Sequence, residues 1–308
     1  GARTNQADQR ATNLKAYGEV QLGLGGGHVL SLGAQALRAR RRSTDGFITA
    51  GVDQSFARTY TGLSPKAGWR WDFQPGTQFY ANFSRSLEPP SFGELAGGPG
   101  ITLVDAQRAV TAELGVRVHT GALWLDAAVY RAQVRDELLS LTDDAGNPLG
   151  TVNAERTRHQ GLELGAAWQI ADPLRLRLNY LWNDFRFRDD PVFGHNRLAG
   201  VPTHQLRAEL HWQLRPWLYV APQVEWTPQD YAVDHANTFN APDYAVFGLR
   251  VGGQPDTRWS WFAEVRNLSD RDYVATTGVV ADAGGADGAY FLPGDGRALY
   301  LGAQLRLP

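Results

Sequence analysis

The chain has no cysteine and no methionine among its 308 residues. The first absence excludes disulfides and thiolate metal sites. The second leaves no initiator residue, so Gly1 reads as a processing site or a boundary. Neither sign of charge is in excess: 30 Lys and Arg stand against 32 Asp and Glu, a net charge of −2. That balance gives no electrostatic case for a nucleic-acid partner. No apolar run approaches the ~18 residues of a membrane helix. There are 7 His, but no G-x-S-x-G, no H-E-x-x-H and no P-loop, so an enzyme is not expected.

What is present is alternation. In "HQLRAELHWQL" (204–214), Leu206, Ala208, Leu210, Trp212 and Leu214 fall on one face, and Gln205, Arg207, Glu209, His211 and Gln213 on the other. "LRLRLNYLW" (174–182) and "LYLGAQLRL" (299–307) repeat the pattern. Period two over nine or more residues means long strands with one apolar and one polar face. The mean hydropathy of −0.35 averages over the two faces and hides them. A dry sandwich core would not tolerate a row such as Arg207, Glu209, His211; a wet bore would.

The connections alternate in length. Short turns are expected at 25–27, 74–76, 120–121, 171–173, 215–217 and 255–257, and long loops at 41–56, 86–108, 142–153, 188–203, 229–242 and 271–296. Strict short–long alternation is the habit of an outer-membrane barrel rather than of a soluble sandwich. Aromatics near strand ends, in "WRWDF" (69–73) and "RWSWF" (258–262), suit interfacial girdles. About thirteen strands are counted, the first near Leu14–Leu22 and the last at Leu299–Leu307. Single-chain bacterial barrels have even strand numbers, so further strands are expected upstream of Gly1.

Seven stretches, in order, resemble the C-terminal barrel half of TonB-dependent outer-membrane receptors: "FYANFSRSLEPPSFGEL" (79–95), "AVTAELGVRV" (109–118), "NAERTRHQGLELG" (153–165), "YLWNDFRFRDD" (180–190), "LAGVPTHQLRAEL" (198–210), "YAVDHANTFNAPDYAVFGLRVG" (231–252) and "FAEVRNLSDRDYVATTG" (262–278). The resemblance implies an all-β, transmembrane, antiparallel up-and-down β-barrel, of which residues 1–308 would be the C-terminal part. The family barrel has about 22 strands and an N-terminal plug, so plug and first strands would precede this chain. It implies TonB as a partner through that plug, a metal-chelate ligand, contact with outer-membrane lipid and lipopolysaccharide, and no cofactor. Family members usually finish on an aromatic residue; this chain finishes "LRLP".

Candidate site residues follow from the same frame. The strand "TQFYANF" (77–83) stops at Pro89-Pro90, and the family places this segment in an outer loop near the ligand vestibule. Arg85, Glu88, Phe92 and Glu94 then face ligand; the alternative is a rim cap, with the glutamates paired locally and Phe92 wedged over the loop. Asp184, Arg186 and Arg188 share one face and either grip an anionic chelate or form a lumen ladder with Glu163 or Glu209. Asp234, His235 and Asn237 stand in one long loop as ligand-facing groups or as solvated loop. No metal site is expected there, because neighbouring residues point apart on a strand. Arg40–Arg42 meet lipopolysaccharide phosphates or siderophore, or form a solvated loop base. "NLSDRDY" (267–273) and "PGDGR" (293–297) read as turn chemistry, and "GVVADAGGADGA" (278–289) as a mobile loop. The function expected is TonB-dependent import of a metal chelate, a ferric siderophore by preference, with a passive porin-like channel as the alternative.

Overall fold

The computed structural model describes residues 6–48, 51–288 and 290–306. Within them thirteen strands form one antiparallel sheet, each paired with its neighbours in chain order. They are β1 (Ala7–Gly25), β2 (His28–Asp45), β3 (Phe56–Gln74), β4 (Thr77–Glu88), β5 (Gln107–His119), β6 (Leu123–Thr142), β7 (Pro148–Ala171), β8 (Leu174–Phe187), β9 (His204–Arg215), β10 (Leu218–Thr227), β13 (Tyr244–Gly253), β14 (Trp259–Arg266) and β17 (Ala298–Leu305). The long connections hold two further pairs, β11 (Tyr231–Ala232) with β12 (Asn240–Ala241) and β15 (Val274–Thr277) with β16 (Phe291–Pro293), and one helix, α1 (Phe92–Ala96). Only one edge of β1 and one edge of β17 is paired, so the sheet is open here. The expected end of the last strand, Leu307, and the terminal Pro308 lie outside the described residues.

Register carries the two faces around the sheet without a break. Phe79 on β4 sits opposite Val116 on β5, Val116 opposite Ala127 on β6, and Ala127 opposite Leu164 on β7. Leu164 in turn faces Tyr180, and Tyr180 faces Leu206. This face is apolar yet uncovered: Leu114 is 60% exposed, Leu63 63% and Leu301 73%. A continuous exposed apolar surface of this kind needs a lipid or protein covering. Near the short turns it carries an aromatic cluster, with His28 stacked on Trp71 at 5.1 Å and Trp71 edge-on to Phe73 at 4.8 Å. The opposite face carries the paired charges, among them Arg177, Glu209, Glu225 and Glu264, and a buried cluster of Leu37, Ala39 and Tyr60.

Turn chemistry sets the short end. Gly76 has φ +80, and a Cβ there would stand 2.0 Å from the His119 carbonyl oxygen, so only glycine lets β4 start this close to β5. Three connections differ from the sequence expectation. The loop expected at 142–153 shrinks to residues 143–147, because β6 and β7 stay paired up to Thr142↔Pro148. Asp143 closes it, its carboxylate accepting from Ala145 N–H and Asn147 N–H. Helix α1 is unforeseen by periodicity, being five residues long, but Ser91 and Glu94 form a capping box that the S-x-x-E spacing encodes. The stretch expected to be a mobile loop, 278–289, is packed: Val280 and Ala283 are buried in a cluster with Tyr231, Val233 and Tyr290. Its Ala289 lies outside the described residues.

Candidate functional site: a polar wall beneath laced loops

The polar face is a lattice of charges fixed by cross-strand neighbours. Arg177 Nη1 lies 3.3 Å from Glu209 Oε1, and Arg207 Nη2 lies 3.2 Å from Glu225 Oε2. Tyr244 donates its hydroxyl to Glu225 Oε1 at 2.9 Å. Glu264 takes Arg266 Nε at 2.6 Å and Arg250 Nη1 at 3.7 Å. Together with Asn179, Gln223 and Tyr273, several of these side chains border an open trough of about 470 Å³. Alternation identifies the row Arg207, Glu209, His211; the partners in β10, β13 and β14 follow only from register. This wall offers hydrogen bonds and paired charges to a polar solute. It contains no group of three or more metal-ligating side chains among the described residues.

The segment after β4 folds against this face. Arg41 donates from Nε to the Pro90 carbonyl at 3.1 Å, and Tyr60 donates its hydroxyl to the Val104 carbonyl at 3.0 Å. Ser91 Oγ accepts from Glu94 N–H, while Glu94 Oε2 accepts from Ser91 N–H at 2.6 Å. Glu94 is thus tied up in the capping box of α1, whose N-cap is Ser91. Phe92 packs on Phe56 with ring centroids 6.2 Å apart, beside the buried Leu95 and Val104. Glu88 lies opposite Gln107 at the end of the polar face. Arg85 is different: it pairs with Val110 in the row that continues Phe79 and Phe83, on the apolar face. The geometry is the rim cap, and Arg85 points away from the polar wall because a residue's parity on a strand fixes its side.

Asp234, His235 and Asn237 sit where three long loops meet. Asp234 is fully buried. It accepts from Thr238 N–H and Oγ1, Phe239 N–H and, from the distant loop, Ala283 N–H at 3.2 Å. Burial alone would raise its carboxyl; the bonds from Thr238, Phe239 and Ala283 outweigh that and hold it below the usual carboxylate value. His235 is 4% exposed, between the rings of Phe187 at 5.3 Å and Phe193 at 5.5 Å. Its Nδ1 accepts from Ala199 N–H at 3.3 Å, which selects the neutral ring with its proton on Nε2. Desolvation lowers its pKa, against the pull of Glu137, Asp234 and Asp190. Asn237, at φ +57, exchanges hydrogen bonds with the backbone N–H and carbonyl of Arg197. The carboxylate of Asp234, the amide of Asn237 and the Nδ1 of His235 are committed to loop structure, so these residues position the loops instead of facing solvent.

Asp184 and Arg186 are brought together, with Arg188 further along the chain on Arg156, but not on the polar wall. They extend the row of Leu176, Leu178, Tyr180 and Trp182 on the apolar face. Asp184 accepts from Arg158 Nη2 and Arg186 Nε, each at 2.6 Å, with Arg197 Nη1 at 3.7 Å. Glu163 and Glu209 lie on the other side of the sheet, so the expected ladder with them does not form. The triple arginine splits likewise: Arg41 reaches Asn13 and Pro90 from the polar face, while Arg40 and Arg42 share the opposite face with Leu30 and Leu32.

Residues 1–268 match the family described as TonB dependent receptor-like, beta-barrel. The chain belongs to that family. It is similar to the metal-pseudopaline receptor CntO of Pseudomonas aeruginosa, 25% identical over an alignment of 228 residues that covers 72% of this chain and 31% of the relative. It is similar also to the ferrioxamine B receptor of Salmonella typhimurium, 23% identical over an alignment of 224 residues that covers 69% of this chain and 31% of the relative. Among solved structures, the siderophore receptor PiuA from Acinetobacter baumannii superposes with a TM-score of 0.79 at 17% identity, over 97% of this chain and 44% of that one. The chain thus spans about a third of the length of these relatives, at 31%. In this barrel fold the polar face lines the bore and the apolar face meets lipid.

Proposed function

We propose that this chain is the C-terminal part of the barrel of a TonB-dependent receptor, and that the whole protein imports a metal chelate, foremost a ferric siderophore, across the bacterial outer membrane. The observation that carries the reading is the ordered sheet with a charged, bore-facing wall, in a chain whose family is one of receptors. The relatives named for pseudopaline and ferrioxamine support the ligand class.

Roles divide by position. Glu88, Phe92 and the loop around α1 border the vestibule, with Arg177 and Arg207 on the wall below. Asp234, His235 and Asn237 hold the capping loops in place. A plug contributed by another part of the protein closes the bore, and TonB withdraws it. Outer-membrane lipid and lipopolysaccharide surround the wall. A strain lacking the protein, grown under iron limitation, should lose uptake of radiolabelled iron supplied as one of a panel of ferric siderophores. Loss of TonB should abolish the same uptake. Transport that persists without TonB would overturn active import and leave a passive channel.

A further inference from the structure

Three adjacent rows on the apolar face, at its long-loop end, change character abruptly. The lowest runs Phe83, Ala112, Arg131, Gln160, Asp184 across β4 to β8. The next runs Arg85, Val110, Gln133, Arg158, Arg186. In the third, Arg108 sits directly opposite Arg135, and Arg135 directly opposite Arg156. Arg188 N–H then bonds to the Arg156 carbonyl at 2.9 Å, which continues the row onto the residue after β8.

Directly opposed like charges destabilise a sheet, and here arginines face arginines across three strands. Acidic side chains relieve only part of the field. Asp184 is taken by Arg158 and Arg186, and Asp136 reaches only Arg108, at 3.5 Å. Arg85, Arg131, Arg135, Arg156 and Arg188 have no ion pair among the described residues. Arg158 Nε is buried with no hydrogen-bond partner. The chain as a whole carries net charge −2, so this field is a local concentration and not a general excess.

We propose that this field binds a membrane lipid whose headgroup carries more than one phosphate. The inference rests on the reading of the sheet as a barrel wall. A guanidinium offers phosphate a two-pronged, charge-assisted grip, and neighbouring strands set the forks about 5 Å apart. Successive same-face residues rise about 7 Å along a strand, so the forks begin at Arg131, level with Phe83, and continue at Arg85 one step beyond it, where the apolar belt ends. A soluble chelate entering the bore meets the other face. A lipid with its chains on the belt brings its phosphates to these rows.

The test uses the protein carrying this chain, purified in detergent, with retained lipid counted by native mass spectrometry. The probes are diphosphoryl lipid A, phosphatidylcholine and inorganic phosphate. Diphosphoryl lipid A should be retained and phosphatidylcholine should not compete. Each arginine near an anionic lipid surface contributes enough that R135Q should weaken retention about fivefold, and R108Q/R135Q/R156Q about a hundredfold. R135Q removes the middle of three like charges, so its lipid-free melting temperature should hold or rise; a merely structural arginine would do the opposite. R177Q, on the bore wall, should retain lipid as the parent does. Unchanged retention by the triple variant overturns the proposal, as does equal displacement by millimolar inorganic phosphate, which would mean a free-anion site. If the protein stays soluble without detergent, the wall reading itself falls; if it needs detergent and the triple variant binds normally, only the lipid site falls.

Discussion

Asp234 accepts a hydrogen bond from the backbone N–H of Ala283 at 3.2 Å, across 49 residues of chain. This bond joins the loop between β10 and β13 to the loop between β14 and β17. The same carboxylate gathers Thr238 and Phe239. An Asn in its place must turn an NH2 toward at least one of these donors. Asp234→Asn should therefore destabilise the junction by about 1–3 kcal/mol. Hydrogen exchange at Thr238, Phe239 and Ala283 reads this directly, and unchanged protection at Ala283 would show that the carboxylate is not the tie.

Acid should loosen the same junction. The folded pKa of His235 lies below its ordinary value of 6.5, so the folded protein binds fewer protons there than the unfolded chain. Its contribution is complete above 6.5 and is lost as pH falls from that value through the lowered one. Asp234, also lowered, adds a second loss below its ordinary 3.8. Protease cleavage of residues 228–243, compared at pH 7.5 and near pH 5.5, should rise on acidification, and His235→Phe should remove the first step. Stronger protection in acid would contradict the sign.

Neighbouring positions on β5 should respond oppositely to change. Leu114 is 60% exposed on the apolar face, whereas Glu113, on the polar face, accepts from Asn82 Nδ2 at 3.2 Å. Arginine on a lipid-facing midplane position costs about 2–4 kcal/mol, so Leu114→Arg should cut the amount of folded, heat-modifiable protein in outer-membrane fractions. Glu113→Gln should leave it within about 0.5 kcal/mol of the parent. Equal tolerance of both would reverse the assignment of faces.

Helix α1 depends on its cap. Ser91→Ala removes the acceptor for Glu94 N–H, at a local cost of about 0.5–2 kcal/mol. The segment is also held by Tyr60 Oη on the Val104 carbonyl, so Tyr60→Phe should free its far end by about 0.5–1.5 kcal/mol. Faster exchange at Glu94 and Leu95 in the first variant, and near Val104 in the second, is expected, with the sheet unaffected. Exchange spreading into β3 and β4 would mean the segment is part of the wall's stability and not a cap on it.

Much of this was legible beforehand. The Leu206-to-Leu214 alternation identifies β9 and its faces, and Pro89-Pro90 ends β4 where the structure ends it. Asn267 holds Arg271 and Asp295 as turn chemistry implies. The site was less legible. Asp234 and His235 look like solvent-facing loop polars because nothing local says that Val280 and Ala283 will close over them. Arg85, Arg186 and Arg188 invite a ligand, yet strand parity had already assigned them to the side of Phe83 and Trp182.

The sequence by itself determined the strands of the main sheet, about thirteen of them, and which of their residues share a face, because side chains alternate along an extended backbone. The cap at Ser91 is a local signal of a different kind, an S-x-x-E spacing that strand alternation does not carry. Only the tertiary structure decided which strand residues stand level with one another, since register depends on turn geometry and pairing across the whole sheet. That register aligned Arg108, Arg135 and Arg156 in one row, and paired Arg177 with Glu209 in the bore. The meeting of the long loops on Asp234 is likewise tertiary, because it rests on hydrogen bonds between segments tens of residues apart.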